Sequence, residues 1–243
     1  MKTILRASAI GAVLCLAGVN VQAQEKKPEH EVSANLGIAS DYRYRGLSQT
    51  RLQPAVQGGV DYVNNAGGWY AGAWASTIKW TKDVGGSGDI ELDLYAGKRG
   101  EIAKDWAYDV GLLTYVYPSN GLTPNVNTTE LYGQISYQAV SLKYSRSLSN
   151  LFGVADSKGS GYLDLSANLP LADGFTLNLH VGRQSVKNAG ALSYTDYKLG
   201  LSKEFSFATL ALAVIGTNTK VYVAPNGKNL GKSALVLTAS KTF

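Results

Sequence analysis

The chain of 243 residues contains only two histidines, His30 and His180. A histidine can act as the general base that activates a serine when the two side chains lie within hydrogen-bond reach. His180 shares a predicted strand face with Asn178, and its neighbours on that face, Thr176 and Gly182, supply no nucleophile. His30 precedes the first predicted strand. We therefore predict that His180 is a hydrogen-bonded wall residue and that the chain is not an enzyme.

Carboxylates at alternate positions, such as Glu91 and Asp93, could bind a cation or act in hydrolysis. Alternating charges on the polar face of a strand produce such pairs freely, so the spacing does not by itself indicate a site. The sequence has no metal-ligand spacing, glycine-rich phosphate loop or nucleotide motif. Its single cysteine, Cys15, lies in a segment predicted to be removed, which excludes disulfides and thiolate zinc sites. We predict no metal and no cofactor.

The elements that position these side chains are predicted to be strands, because apolar and polar residues alternate along most of the chain. In the segment 90–98 the sequence IELDLYAGK places an apolar set on one face and a polar set on the other. Twelve such segments occur, near residues 31–40, 54–63, 69–79, 90–99, 106–117, 129–137, 140–147, 161–169, 175–186, 194–204, 208–217 and 233–243. Residues 69–78 and 208–217 are less clear, since both faces are apolar or small.

The connections between these segments alternate in length. Six are mostly long, at residues 41–53, 80–89, 118–128, 148–160, 187–193 and 218–232, and the five between them are short. Outer-membrane barrels have short periplasmic turns and longer extracellular loops, whereas a β-sandwich has no reason to separate its loops by length. The pattern favours an all-β fold, a transmembrane antiparallel up-and-down barrel of about 12 strands, over a soluble sandwich.

The N-terminal residues 1–23 differ from the rest. Lys2 and Arg6 precede an apolar run from Ala7 to Val19, which is typical of a secretory signal peptide cleaved after Ala23. The run is too short for a membrane-spanning helix, which needs about 20 residues. We predict a cleaved signal at 1–23 and a barrel at 24–243. Without the signal the charge falls from +5 to +3, too slight a balance to indicate nucleic acid.

Aromatic residues flank the predicted turns and would form interfacial girdles. Those beside the short turns or the terminus would form one girdle: Tyr62, Trp69, Trp106, Tyr137, Phe175, Phe205, Phe207 and Phe243. Those near the opposite ends could supply the other: Tyr42, Tyr44, Trp80, Tyr117 and Tyr194. A terminal aromatic after the last strand resembles the signal read by the outer-membrane assembly machinery, which Phe243 would supply. Lys241 lies on the same face, where an apolar residue is more usual, and is expected to extend its ammonium towards the headgroups.

Several motifs resemble the TorF family of porin-type proteins of Gram-negative bacteria. They are SDYRYRGLSQT at 40–50, PAVQGG at 54–59, YAGAWAS at 70–76 and ELDLYAG at 91–97. The resemblance implies an outer-membrane β-barrel. It implies little about the solute, because such proteins are assigned as porins largely from their barrel architecture.

An aromatic and cationic cluster occupies the predicted extracellular mouth: Tyr42, Arg43, Tyr44 and Arg45. The two arginines could bind anionic lipopolysaccharide or steer an anionic solute, held by stacking on the tyrosines. Alternatively, Gly46 makes a turn and the arginines close the loop against carboxylates such as Asp41.

If apolar faces contact lipid, the charged residues of the strands must point inward, because each would cost about 2–4 kcal/mol on the lipid face near the midplane. The pore-lining candidates are Asp61, Glu91, Asp93, Asp109, Lys143, Asp164, His180, Asp196 and Lys198. We predict a porin-like channel of the outer membrane for passive diffusion of small polar solutes or ions. The alternatives are a closed barrel with a structural or ligand-binding role and, less favoured, a barrel lipid hydrolase. Side chains or an inserted loop could close a barrel this narrow.

Overall fold

The computed structural model describes residues 28–243. The predicted signal peptide, residues 1–23, lies outside the described residues. Strands dominate the described part, and their bounds are β1 (His30–Ala39), β2 (Arg43–Tyr44), β3 (Leu47–Ser48), β4 (Ala55–Asn64), β5 (Trp69–Thr77), β6 (Ile90–Ala103), β7 (Trp106–Val116), β8 (Thr128–Tyr137), β9 (Val140–Ser147), β10 (Gly161–Pro170), β11 (Phe175–Ser185), β12 (Tyr194–Glu204), β13 (Thr209–Thr217) and β14 (Ala234–Thr242).

Within residues 28–243, twelve of these strands form one closed antiparallel barrel, in which each long strand pairs with its neighbours along the chain. The first and last strands close the ring, with residues 35–39 of β1 opposite residues 238–242 of β14. Closure leaves no edge strand, so every long strand has a partner on both sides. The predicted up-and-down barrel of about twelve strands is confirmed.

The two faces of the barrel wall differ in the way that the alternation predicts. Apolar side chains on the outer face are exposed, with Val32 at 70% and Leu235 at 63%, whereas Glu91 and Asp109 on the inner face are each 1% exposed. Water-free lipid tolerates such an apolar exterior, and the ring satisfies the backbone amides. The wall therefore has an apolar outside and a polar inside.

The two ambiguous strands have inner faces of different kinds. Tyr70 and Trp74 of β5 point inward, and Gly97 of β6 lies where the Tyr70 ring passes, because a Cβ there would be 2.4 Å from the tyrosine hydroxyl. On β13 the inner face is small, with Ala213 7% exposed. The periodicity was weak because large aromatics and alanines face the interior instead of charges.

Short helical elements lie in the connections: α1 (Trp80–Asp83) and three 3-10 turns, Leu151–Gly153, Ala172–Gly174 and Gly190–Leu192. None of the helices in residues 28–243 has the length and apolar character that a membrane span requires. The long connections gather at one end of the barrel, here called the loop end, and the short ones at the other, the turn end.

Aromatic side chains mark the turn end. The rings of Trp106 and Tyr137 lie 4.8 Å apart, and those of Phe205 and Phe207 lie 5.5 Å apart. Lys241 extends its Nζ to the carbonyl oxygen of Ser206 at 2.6 Å, which takes the ammonium to the last short turn. A stem that lies along the outer face with its charge at the rim is the arrangement expected of an amphipathic side chain at an interface.

Candidate functional site: a loop folded into the barrel

Residues 40–54, here called the inserted loop, connect β1 to β4 and fold into the ring. Arg43 pairs with Ser48 and Tyr44 pairs with Leu47 in a two-residue hairpin. The turn residues have positive φ, 45° at Arg45 and 79° at Gly46, which a tight hairpin of this length requires. Arginine rarely adopts this conformation, so the contacts of its side chain must hold it there.

The tip of the hairpin lies against the wall. A Cβ on Gly46 would be 2.6 Å from Cγ2 of Thr217 and 2.7 Å from Cβ of Asp196. These residues belong to β13 and β12. Glycine is needed here both for its backbone conformation and for the lack of space.

Arg45 spans the interior from the inserted loop to the far wall. Its Nη2 donates to Oε2 of Glu130 at 2.6 Å and its Nη1 to Oε1 of Gln184 at 2.6 Å. The guanidinium carbon also lies 4.1 Å from the centroid of the Tyr162 ring. Burial by itself would lower the pKa of Arg45, but the Glu130 carboxylate raises the pKa well above its ordinary value. The arginine is thus a permanent cation fixed across the lumen.

β8, which carries Glu130, lies five strands from β1 and four from β4 around the ring of twelve. An arginine rooted between β1 and β4 can reach Glu130 only by crossing the barrel. The inserted loop is therefore a bar across the lumen, and any solute that passes the loop end must go around it.

Arg43 anchors the base of the hairpin. Its Nε donates to Oδ2 of Asp41 at 2.5 Å, and its Nη1 donates to the carbonyl oxygens of Gly46, Leu230 and Lys232 at 3.0, 3.1 and 3.0 Å. Two of these carbonyls belong to the connection between β13 and β14. Arg43 thus ties the first long connection to the last.

Glu91 receives two tyrosine hydroxyls at the root of the inserted loop. Tyr42 donates to Oε1 at 2.5 Å and Tyr117 donates to Oε2 at 2.8 Å. Burial raises the pKa of both phenols well above the ordinary value, and the Glu91 carboxylate raises it further. Both tyrosines therefore stay protonated and act as donors.

Aromatic rings fill the space around the inserted loop at the loop end. Phe152, from the connection after β9, lies with its ring centroid 5.5 Å from that of Tyr44 and 5.4 Å from that of Tyr115. Trp80 of α1 packs edge-on to Tyr117 at 4.9 Å. This cluster removes free volume from the loop end. The prediction of a second interfacial girdle was wrong, because Tyr42, Tyr117 and Tyr194 are buried, with 2%, 3% and 3% of their surface exposed.

The sequence left two interpretations of the cluster at residues 42–45, and the geometry favours loop closure. Arg43 is 8% exposed and binds Asp41, and Gly46 makes the turn. Arg43 and Arg45 are buried and ion-paired, so they do not form an exposed set of cations at the entrance that could bind lipopolysaccharide. The sequence of residues 42–45 is compatible with an exposed entrance and with a closed loop. Only the direction in which the loop folds, which the structure shows, distinguishes the two interpretations.

All nine pore-lining candidates have inward positions on the wall. Tyr95 donates to Asp61 at 2.5 Å, Tyr70 donates to Asp109 at 2.5 Å, and Nζ of Lys143 lies 3.9 Å from the centroid of Tyr132. The nine candidates are Asp61, Glu91, Asp93, Asp109, Lys143, Asp164, His180, Asp196 and Lys198. Their role in lining a pore stays a prediction.

Asp93 differs from the other interior carboxylates. It is 4% exposed, and its Oδ1 has no hydrogen-bond partner. Among residues 28–243 no group of three or more histidines, cysteines and carboxylates is close enough to hold a metal ion. Asp93 is therefore a buried carboxyl group, two residues from Glu91, with one oxygen that has no partner.

His180 has a serine neighbour that the sequence did not reveal. The register of β10 and β11 places Ser166 opposite His180, and their Oγ and Nδ1 atoms are 3.1 Å apart. The same imidazole contacts Asp196 through Nε2 at 2.7 Å and Asp164 through Nδ1 at 3.3 Å. The prediction that no nucleophile lies nearby was wrong, because it considered only the histidine's own strand.

This group nevertheless lacks the hydrogen bonding of a catalytic triad. Ser166 donates its hydroxyl proton to Oδ1 of Asp164 at 2.6 Å. Each nitrogen of His180 faces a carboxylate, so neither nitrogen offers a free lone pair to the serine. The cluster is built as a hydrogen-bonded part of the wall.

Solved structures with similar folds include outer-membrane porins. The chain superposes on the "KdgM porin" with a TM-score of 0.55 at 7% identity, covering 87% of this chain and 97% of that one. The NanC porin gives a TM-score of 0.55 at 13% identity, covering 87% and 98%. A third structure, "KdgM porin in complex with disordered oligogalacturonate", gives 0.55 at 8% identity, covering 87% and 97%. No curated protein matches the chain.

The fold is thus a twelve-stranded barrel of the porin type. The chain belongs to the Gcw_chp family, described as "Bacterial protein of unknown function", whose model matches residues 23–243.

Proposed function

We propose that this protein is a channel of the bacterial outer membrane through which small polar solutes or ions diffuse passively. The observation that carries the proposal is a closed barrel with a polar interior, narrowed by one loop that is fixed to the opposite wall. General porins use a wider barrel, and a twelve-stranded ring restricts the solutes to small ones. We propose no enzymatic activity.

The location follows from the same chemistry. An apolar exterior around a ring without edges suits a bilayer, and the N-terminal signal would export the chain to the outer membrane of a Gram-negative bacterium. The loop end would then face outward and the turn end the periplasm, where Phe243 would contact the assembly machinery. The motifs at residues 40–50 and 91–97 support membership of the TorF family.

We do not propose oligogalacturonate, which is bound in one of the similar porin structures, as the solute of this chain. Oligogalacturonate is a polyanion, and the inner wall of this chain has more carboxylates than cations. With Asp93 and Glu91 on one wall and an ion-paired Arg45 across the lumen, we expect the interior to discriminate between anionic and cationic solutes. The charge of the solute is therefore the first property to vary in a transport assay.

A second candidate function is favoured by the aromatic packing around the inserted loop. Phe152, Tyr115 and Trp80 fill space that a conducting lumen would leave open. A closed barrel of this kind would stabilise the membrane or bind a partner through its long loops. The two candidates differ only in whether a path remains beside the bar.

Conductance in a planar lipid bilayer tests both. The nitrogen of Gln49 donates to the carbonyl oxygen of Tyr42 at 2.8 Å, so the chain ends on either side of residues 43–48 are already adjacent. Replacing residues 43–48 by Gly-Gly removes the bar without stretching the backbone. The matched control replaces residues 225–227, another hairpin tip, by Gly-Gly, because the flanking residues are already joined by the bond from Ala224 N to Lys228 O at 2.9 Å.

A channel predicts conductance steps for the native chain, larger steps after removal of residues 43–48, and native steps in the control. Steps only after removal would overturn the channel and support the plugged barrel. Flat traces for all three proteins, each shown to be folded by its heat-modifiable migration, would overturn the channel as well. Liposome swelling with solutes of graded size and charge would then define the substrate class.

A further inference from the structure

An open cavity of about 680 Å³ lies on the outside of the barrel at the loop end, away from the inserted loop. It is lined by the end of β9, by the connection between β9 and β10, and by the connection that follows β11: Arg146, Ser147, Leu148, Asn150, Asp156, Lys158, Gly159, Lys187 and Asn188. Three of these side chains are cationic and one is anionic. The lining of the cavity therefore has a net positive charge, unlike the apolar outer face of the strands below it.

The three cations, here called the outer basic cluster, are Arg146, Lys158 and Lys187. Arg146 and Lys187 converge over Gly159, where a Cβ would lie 3.4 Å from Nη2 of Arg146 and 3.8 Å from Cδ of Lys187. Within the described chain, their side-chain nitrogens make no hydrogen bond or ion pair. Three unpartnered cations around one cavity repel one another unless an anion joins them.

The position of the cluster on the wall limits the anion. Arg146 occupies the same outer face of β9 as Leu142 and Tyr144, which are 44% and 49% exposed. Tyr144 pairs with Leu163 of β10, another exposed apolar side chain. Arg146 lies two residues nearer the loop end and pairs with Gly161. The cluster thus begins about 7 Å beyond the apolar belt, since each strand residue rises by about 3.3 Å.

We infer that the outer basic cluster binds the phosphate groups of lipopolysaccharide. That lipid has acyl chains that would lie on the apolar belt and phosphates directly above them, in the order in which the wall presents its surfaces. Arginine and lysine bind phosphate through charge-assisted hydrogen bonds, and arginine can do so with two parallel ones. The inference rests on the proposed outer-membrane location with the loop end outward.

The test uses the full chain purified in detergent, with bisphosphorylated lipid A as the probe and native mass spectrometry as the readout. The variant is Arg146→Gln/Lys158→Gln/Lys187→Gln. The matched control is Lys79→Gln/Lys220→Gln/Lys228→Gln, which removes the same charge from exposed positions of other long connections. Lipid A without its phosphates and inorganic phosphate serve as further probes.

We expect the native chain and the control to retain one lipid A molecule. The affinity of the variant for lipid A should fall by a factor on the order of ten or more, which corresponds to the loss of at least one strong contact. Dephosphorylated lipid A should bind the native chain as weakly as the variant binds lipid A. Equal binding by variant and native chain, or undiminished binding of the dephosphorylated lipid, would overturn the site. Full displacement by millimolar inorganic phosphate would overturn the lipid as its source.

Conductance measured on the same samples separates this inference from the proposed channel. Lipid A binding that depends on the cluster, in a barrel that never conducts, would leave the site standing and remove the channel. Conductance without selective lipid binding would do the reverse.

Discussion

Two basic clusters of this barrel lie in opposite surroundings. Inside, Arg43 and Arg45 are buried, and each has an ion-pair partner within 2.6 Å. Outside, Arg146, Lys158 and Lys187 surround an open cavity, and their side chains make no hydrogen bond or ion pair in the described chain. A buried charge must be paired to be tolerated, whereas an exposed one can wait for a ligand. The inner cluster is thus expected to stabilise the fold, and the outer one to bind.

The largest effect should come from Arg45→Ala, which leaves Glu130 buried and unpaired. Breaking a buried pair in this way costs about 3–5 kcal/mol. Urea unfolding of the purified barrel measures it, and the double variant Arg45→Ala/Glu130→Gln should recover part of the loss. A single-variant loss below about 1 kcal/mol would contradict a structural role for the inner cluster.

Tyr42→Phe should have the next largest effect, since it removes one of the two donors to Glu91. A hydrogen bond to a charged group contributes about 1.5–3 kcal/mol. The control Tyr144→Phe alters a hydroxyl on the exposed outer face and should leave the free energy of unfolding unchanged. Equal losses in the two variants would show that the Glu91 contact has no special weight.

Gly46→Ala tests the tip of the inserted loop. A Cβ would clash with Thr217 and Asp196, and the positive φ adds strain, for a combined cost of about 1–3 kcal/mol. Gly190→Ala is the matched change, since nothing lies within 4 Å of a Cβ there and its φ carries no strain. If both alanine variants unfold at the same urea concentration, the tip does not pack as described.

The smallest effect on stability is expected for Arg146→Gln/Lys158→Gln/Lys187→Gln, within about 0.5 kcal/mol of the native chain in detergent. The substitutions relieve the repulsion among three exposed cations and break no side-chain hydrogen bond or ion pair in the described chain. A loss comparable with that of Arg45→Ala would show that the outer cluster is structural, and the contrast between the clusters would disappear.

The period of two predicted the barrel because it records which side of the wall each residue faces. The strand bounds agreed closely, for example at 140–147 and 194–204. Segments such as 69–78 gave a weak signal because Tyr70 and Trp74 fill the interior with apolar rings. The alternation reports polarity, and a narrow barrel with aromatic filling does not keep its interior uniformly polar.

The site was less predictable than the wall. Tyr42, Arg43, Tyr44 and Arg45 were visible as a cluster, but their direction depends on Glu130, a residue far along the chain. The pairing of Ser166 with His180 follows from the cross-strand register, which the sequence of one strand does not contain. The register between neighbouring predicted strands would place these two residues opposite each other. The narrowness of a twelve-stranded ring indicated that an inserted loop could close it, but the sequence did not show which loop would enter or which wall residue it would reach.

The anchoring of Arg43 has a consequence for the order of assembly. Its guanidinium binds the carbonyl groups of Leu230 and Lys232, residues nearly 190 positions later in the chain. Those carbonyls arrive in place only when β14 comes to lie beside β1. The inserted loop, although it is synthesised first among the long connections, is therefore the last to be fixed in place. Before β1 pairs with β14, the chain lacks the contacts that hold the inserted loop across the lumen.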